Sequence, residues 1–319
     1  MKSCCAIALS VILASVAVPA IAVDIAPGVE LIPGQFIPSS QPDGNSVVFQ
    51  GREGLVVVDT GRHSEHTQAI IDFAKAKNVP IGAVINTHWH LDHIGGNPAV
   101  RRAFPGVKVY ASNALADART TFLADEHKQL DEMIAKSSNV EEQKQWREEL
   151  AIIDAGDARA PNVVVTRSGR QNLAGRKLEI HLESHAVTAG DVWVFDPKSG
   201  VLVSGDLVTL PVPFFDTACP QQWKASLDTL AGHDFKLLVP GHGPPMKRAE
   251  FELYRTAFDH LLECAGSAAA KETCIDGWMR DASSLIASEK PKWVRALMDY
   301  YIDSSLRGDS ARNAKFCGR

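Results

Sequence analysis

Between residues 86 and 96 the chain reads "NTHWHLDHIGG", which puts His88, His90, Asp92 and His93 at positions i, i+2, i+4 and i+5. Histidines do gather on solvated loops without any function, and aspartate is an ordinary turn residue. Imidazole and carboxylate together are also the donor mixture that suits a zinc ion. The flanking residues favour the second reading. The apolar run "AVIN" leads in as a strand, and "GGNPAV" leads out into a helix, with Asn97 expected to cap it and Pro98 in its first turn. The cluster therefore belongs to a strand-to-helix loop, where side chains at these spacings converge. Gly95 and Gly96 let the backbone return closely beside an ion.

The elements that must hold this loop are legible as periodicities. "VELIPGQFI", "NSVVFQGREGLVVVDTG" and "IGAVINTH" are Val- and Ile-rich runs broken by Gly, Pro, Asn and Asp, and read as strands and turns. "SEHTQAIIDFAKAKNV" has helical spacing, with Ile70, Ile71, Phe73 and Ala74 on one face. "GVKVYAS", "KLEIHLES", "DVWVFDP", "GVLVSGD" and "FKLLVPG" read as further strands, so the chain is a mixed α/β protein. Two stretches differ. Residues 113–156 are charged, almost free of Gly and Pro, and read as a helical insertion with Leu130, Ile134 and Trp146 interspersed; residues 247–319 read as a C-terminal helical extension. One domain is expected over residues 23–246.

Residues 1–22 carry a positive start at Lys2, the apolar run "AIALSVILASVAV" and the small-x-small pattern Ala20-Ile21-Ala22, which is the pattern of a removed secretory signal. A secreted or periplasmic protein without stable membrane association is expected. The formal net charge of −5 argues against nucleic acid as a partner, because phosphate binding wants a basic face. A small-molecule substrate fits better. Cys219, Cys264, Cys274 and Cys317 follow the signal; four cysteines in an exported chain suggest disulfides, with Cys264–Cys274 the expected pair on sequence proximity.

The loop motif has company. "VVVDTG" at residues 56–61, "VLVSGD" ending at Asp206, and "LLVPGHG" containing His242 stand in order around it. With its H-x-H-x-D-H motif, the chain resembles the metallo-β-lactamase superfamily over roughly residues 29–245. The resemblance implies a four-layer αββα sandwich with the metals at one edge of the two sheets. It implies that His88 and His90 bind a first zinc ion, that Asp92, His93 and His242 bind a second, and that Asp206 bridges the two. Metallo-β-lactamases proper usually carry Cys or Ser in place of that Asp, which puts β-lactam hydrolysis in doubt. Asp59 reads either as a turn residue or as a carboxylate that orients a ligand histidine. His63, His66, His127, His181, His233 and His260 fall on no family block and read as surface or satisfied histidines.

The pattern breaks once. The family places the third ligand of the first metal in an H-T-x-G-D-like turn, but "SHAVTAGD" puts Val187 there and His185 two residues earlier. His185 is expected to reach the metal through a rearranged loop. The resemblance then implies an exported zinc-dependent hydrolase that directs a metal-bound hydroxide at an amide, ester or lactone, with Asp92 orienting the nucleophile or carrying its proton. The alternatives are a mononuclear metal enzyme, such as an iron-dependent oxygenase, and a non-catalytic metal-binding protein. Pro211, Pro213, Phe214 and Phe215 either rim the cleft or pack beneath it, and the helical insertion is placed to serve as a lid.

Overall fold

The computed structural model describes residues 22–36, 41–286, 291–308 and 315–318. The expected signal at residues 1–22 thus lies, but for its last residue, outside the described residues. In chain order, β1 (Val23–Ala26), β2 (Val29–Ile32), β3 (Ser46–Gln50) and β4 (Leu55–Val58) precede α1 (Ser64–Lys77) and β5 (Ile81–Ile85). The short α2 (Leu91–Ile94) and α3 (Asn97–Ala103) lead to β6 (Lys108–Ala111). Then come α4 (Ala114–Thr120), α5 (Phe122–Lys136) and α6 (Val140–Asp154). Five strands follow: β7 (Val163–Val164), β8 (Gly169–Leu173), β9 (Arg176–Glu183), β10 (Asp191–Asp196) and β11 (Val201–Thr209). The remainder is α7 (Pro220–Ala231), β12 (Leu237–His242), α8 (Arg248–Ala265), α9 (Lys271–Asp281) and α10 (Pro291–Tyr301).

Seven strands form one sheet in the order β1 to β7, antiparallel as far as β4 and parallel from there; five form a second in the order β12-β11-β10-β9-β8. Alternate residues explain the layers. Val47, Phe49, Val56 and Val58 face Leu178, Ile180, Val192, Val194 and Val203 across the space between the sheets. Val48, Val57 and Val84 point the other way, onto Ile70, Ile71 and Ala74 of α1 and Val100 of α3. Strands buried on both faces read as near-continuous apolar runs, which is why "VVVDTG" carries no polar alternation. On the far side of the second sheet, Trp193, Leu202 and Leu238 pack against Trp223 and Leu227 of α7 and Phe251, Tyr254 and Phe258 of α8. The result is helix, sheet, sheet, helix.

The insertion is attached differently. Only Leu123 and Leu130 of α5 are buried, and α6 buries no residue at all. An ion pair between Arg62 and Glu149 joins α6 to the loop after β4. Cys264–Cys274 bridges α8 and α9, and Cys219–Cys317 ties the start of α7 to the C-terminal segment. Among the described residues no helix is long and apolar enough to cross a membrane. Asn97 departs from expectation: Gly96 holds the cap position, while the buried Asn97 amide bonds Asn86 and the carbonyl of Arg159. Its side chain locks the loop to its surroundings instead of starting the helix.

Candidate metal centre

Every residue of the expected pattern except His185 arrives at one place. His88 and His90 lie on the loop after β5, Asp92 and His93 on α2, Asp206 within β11, and His242 is the last residue of β12. The β11–β12 ladder slips on either side of Gly205, which sets Asp206 at an interruption of the sheet. Gly205 sits at φ +53° against Thr87, and a Cβ on Gly241 would collide with Asp206 Oδ1. Only glycine admits both the backbone turn and that close approach.

The donor atoms of His88, His90 and Asp206 lie within 4.8 Å of one another, and so do those of Asp92, His93 and His242. Asp206 stands between the groups: Oδ2 is 3.8 Å from His88 Nε2, while Oδ1 is 3.3 Å from His93 Nε2 and 3.6 Å from His242 Nε2. Asp92 Oδ2 is 2.9 Å from His242 Nε2 and 3.5 Å from His93 Nε2.

Neighbouring side chains fix the histidine tautomers. Asp59, at φ +62° and fully buried, accepts from Thr87 N–H and the Thr87 hydroxyl at 2.8 Å each and from His93 Nδ1–H at 2.7 Å. The Thr87 hydroxyl spends its O–H as a donor to Asp59, so its oxygen accepts from His88 Nδ1–H at 2.9 Å. Both rings therefore turn a lone pair at Nε2 towards the carboxylates. Thr217 does the same for His90 through the other nitrogen. Its hydroxyl donates to the Val187 carbonyl at 2.8 Å, so His90 Nε2, 3.0 Å away, must be the donor and Nδ1 keeps the lone pair.

This leaves acceptor facing acceptor. His88 Nε2, His93 Nε2 and Asp206 Oδ1 are buried without a hydrogen-bond partner. Such atoms cost roughly 1–3 kcal/mol each when left unmet, and a cation between them satisfies all three. The protonation balance without metal reflects the same crowding. Burial opposes a charge on His93, yet Asp92, Asp206 and Asp59 outweigh it and hold that ring well above the ordinary histidine value, so without a metal ion a proton takes the Nε2 position that a cation would otherwise fill. Burial pushes His88 well below that value and His90 below it. For Asp92 and Asp206, burial raises the pKa but the surrounding histidines prevail, so both carboxylates sit below the usual range. The donor set fits zinc-like dications.

His185 is not brought to the centre. Its Nδ1 donates to the Phe316 carbonyl at 3.1 Å, and Gly318 packs against its ring, so the segment held by Cys317 takes the side chain away. Val187, fully buried, stands near the Thr217 hydroxyl. Sequence reasoning missed Thr217 and Thr87, since a lone hydroxyl carries no signal of what it will touch. Asp59 turns out to serve both roles left open for it. Of the other histidines, His63 is bonded to Asp43, His66 to Ser46 and His260 to Asp281. His181 and His233 differ, converging with Glu179 into a third possible ligand group on the face of β9 opposite Leu178 and Ile180.

The centre opens into a cavity of ≈ 1110 Å³. His90, Asp92 and Asp206 reach it from below, α5 and α6 wall one side, and Trp293, Leu297 and Tyr301 of α10 another. Phe214 lines it, whereas Phe215 packs on Trp223 and Phe258, so the apolar segment after β11 divides between rim and core. Burial raises the pKa of Glu126 on α5 above the usual carboxylate range, against the pull of Arg62.

Residues 41–242 match the family model described as the Metallo-beta-lactamase superfamily. The linear primary-alkylsulfatase of a Pseudomonas species is 27% identical over 226 residues, 64% of this chain and 42% of that protein. The atrochrysone carboxyl ACP thioesterase of Passalora fulva is 33% identical over 76 residues, 24% of this chain and 22% of the other. The hydroxyacylglutathione hydrolase of Gloeobacter violaceus is 42% identical over 55 residues, 14% and 22% of the two chains. The chain spans under half the length of these curated relatives. Among solved structures, a metallo-beta-lactamase from Pontibacter korlensis superposes with a TM-score of 0.54 at 22% identity, covering 75% of this chain and 98% of that one. A stereoselective inverting sec-alkylsulfatase from a Pseudomonas species gives 0.58 at 20% identity, covering 90% and 51%. At such identities the likeness concerns the fold.

Proposed function

The chain belongs to the metallo-beta-lactamase superfamily, and from that premise we propose that it is an exported zinc-dependent hydrolase of an ester, lactone or amide. The observation that carries the reading is the set of buried, unpartnered donor atoms of His88, His93 and Asp206, with Asp206 reaching the cavity above them. His88, His90 and Asp206 would hold one ion, and Asp92, His93 and His242 a second, with Asp206 shared. Dications held there would lower the pKa of a bound water towards about 7 and polarise a carbonyl or similar oxygen. The chain's own groups do the rest. Asp59, Thr87 and Thr217 keep the imidazole lone pairs aimed inward, and Asp92, at the cavity edge, is placed to orient the nucleophile or hold its proton. Leu91, Trp89 and Phe122 give the cavity beside these ligands an apolar lining. Export is supported by the signal-like run at residues 1–22 and by four cysteines paired as two disulfides.

With Val187 in place of the family's histidine and His185 engaged elsewhere, the first site has two imidazoles and Asp206. Its affinity should be lower than that of the second. A sulfate ester is the second reading, favoured by the alkylsulfatase match over 64% of the chain. The test is metal analysis of the purified protein, with an optical spectrum, followed by hydrolysis of 4-nitrophenyl esters, thioesters, lactones, β-lactams and alkyl sulfates. Zinc and ester turnover are expected; His88→Ala/His90→Ala should lose the ion of the first site, and ester turnover with it. Iron with a visible absorption band, or zinc with no hydrolysis of any member, would sink the reading.

A further inference from the structure

The cavity above the centre combines two kinds of surface. α5 turns Phe122, Leu123, Leu130 and Met133 towards it, positions that share one helical face with Glu126. Packing does not use that face up, because Met133 remains 42% exposed and α6, which contributes Trp146 and Ile152, buries nothing. Helices that leave an apolar face against a cavity are stabilised by an apolar occupant.

The charge of the lining is one-sided. Apart from the metal-ligating positions, Glu126, Glu141, Glu148, Glu149 and Asp216 border the space; Arg62 is the only Lys or Arg among the described lining residues, and His63, the other basic group there, is paired with Asp43. Arg62 is already held by Glu149 in a largely buried ion pair, and Glu148 has Lys144 at 3.9 Å. Glu126 is different: partly buried on the cavity face of α5, it has no hydrogen bond or ion pair among the described residues. A carboxylate removed from water without a partner is costly, and a cation from outside relieves that cost. Trp89, Phe122 and Trp146 in the same lining add ring faces that attract ammonium groups and repel anions.

We infer that the substrate carries, beyond its reacting acyl group, an apolar body that ends in an amine or quaternary ammonium, received by Glu126 in this aromatic-lined cavity. The inference rests on the hydrolase reading for the reacting end and on the lining alone for the distal end. The division of charge is complementary: metals at the floor attract the electron-rich carbonyl, and the acidic wall attracts the positive tail.

The experiment uses zinc-loaded full chain and three 4-nitrophenyl esters of octanoic acid whose far end is methyl, trimethylammonium or carboxylate. The expected order of kcat/KM is trimethylammonium, methyl, carboxylate, with about tenfold between the charged pair's extremes and the neutral ester. Glu126→Gln should shrink the trimethylammonium-to-methyl ratio to within about threefold, and added salt should shrink it likewise. Calorimetric titration with octyltrimethylammonium reads the cavity without turnover and should show weaker binding in Glu126→Gln. If no ester is hydrolysed but octyltrimethylammonium binds in a Glu126-dependent way, the hydrolase reading fails and the inference about the cavity stands. A carboxylate ester turned over as well as the trimethylammonium ester, or a ratio and affinity unmoved by Glu126→Gln, overturns the inference.

Discussion

Replacing Asp59 by asparagine asks how far the centre depends on a carboxylate that never faces the cavity. Asp59 is 1% exposed and accepts three hydrogen bonds, two from Thr87 at 2.8 Å and one from His93 Nδ1 at 2.7 Å. Asparagine has the same shape but one oxygen. If that oxygen keeps the Thr87 N–H, the amide NH2 faces His93 Nδ1, which must then accept. The ring proton moves to Nε2, the nitrogen 3.3 Å from Asp206 and 3.5 Å from Asp92, and a protonated nitrogen cannot ligate. Loss of such an orienting partner lowers metal affinity about 10–100-fold, or about 1.4–2.7 kcal/mol, close to the roughly 1.5–3 kcal/mol of one hydrogen bond to a charged acceptor. Competitive zinc titration against a chromophoric chelator measures this directly, alongside urea unfolding of the metal-free protein. Asp59→Asn should bind zinc about 10–100-fold more weakly at the site containing His93 and remain folded without metal. Asp59→Ala should in addition lose roughly 2–6 kcal/mol of metal-free stability, since two buried N–H donors are left unmet at about 1–3 kcal/mol each. A zinc affinity in Asp59→Asn within about twofold of the parent would refute the tautomer argument.

Three further outcomes are expected. His185→Ala should leave zinc stoichiometry unchanged, because that ring is held by Phe316, whereas Val187→His should tighten the weaker of the two sites; zinc titration of both variants checks this. Removing Cys219–Cys317, whose partners are 98 positions apart, should cost about 4.7 kcal/mol against about 2.7 kcal/mol for Cys264–Cys274, 10 positions apart, measured by equilibrium unfolding of Ser pairs. The hydrogen bond to Asp43 raises the His63 pKa above its ordinary 6.5 despite burial, so the stability it contributes is fully present below pH 6.5 and fades as pH rises through the raised value. Burial alone would raise Asp43, but His63 and His66 outweigh it and lower it, so its contribution is present above the ordinary 3.8 and lost as pH falls through the depressed value. His63→Gln should therefore cost about 1 kcal/mol more at pH 6 than at pH 9, read from thermal unfolding curves.

Much of this molecule is written in short-range pattern. The runs that became β3, β4, β5, β10, β11 and β12 are apolar on both faces because each lies between two layers, and that shows in the order of residues alone. The H-x-H-x-D-H spacing works because one loop and one helical turn supply the ligands, so local geometry fixes their convergence. Strands β7 and β8 escaped notice for the opposite reason. β7 is two residues long, and β8 is exposed and polar from Gly169 to Asn172, held by pairing with β9 and not by its own side chains. Asn97 was misread because a cap motif is a local rule, and here long-range bonds to Asn86 and Arg159 took precedence. The fate of His185 depended on a disulfide 98 residues long and a C-terminal segment that reaches the loop only in the folded chain. The acidic wall of the cavity likewise exists only once α5 and α6 lie over the metal centre. Sequence by itself determined that His88, His90, Asp92 and His93 share one strand-to-helix loop, since that fact rests on neighbours within a few positions. Tertiary structure alone decided which nitrogen each imidazole presents, because a ring's tautomer is set by partners such as Asp59 and Thr217 that stand 34 and 127 positions away from the histidines they hold.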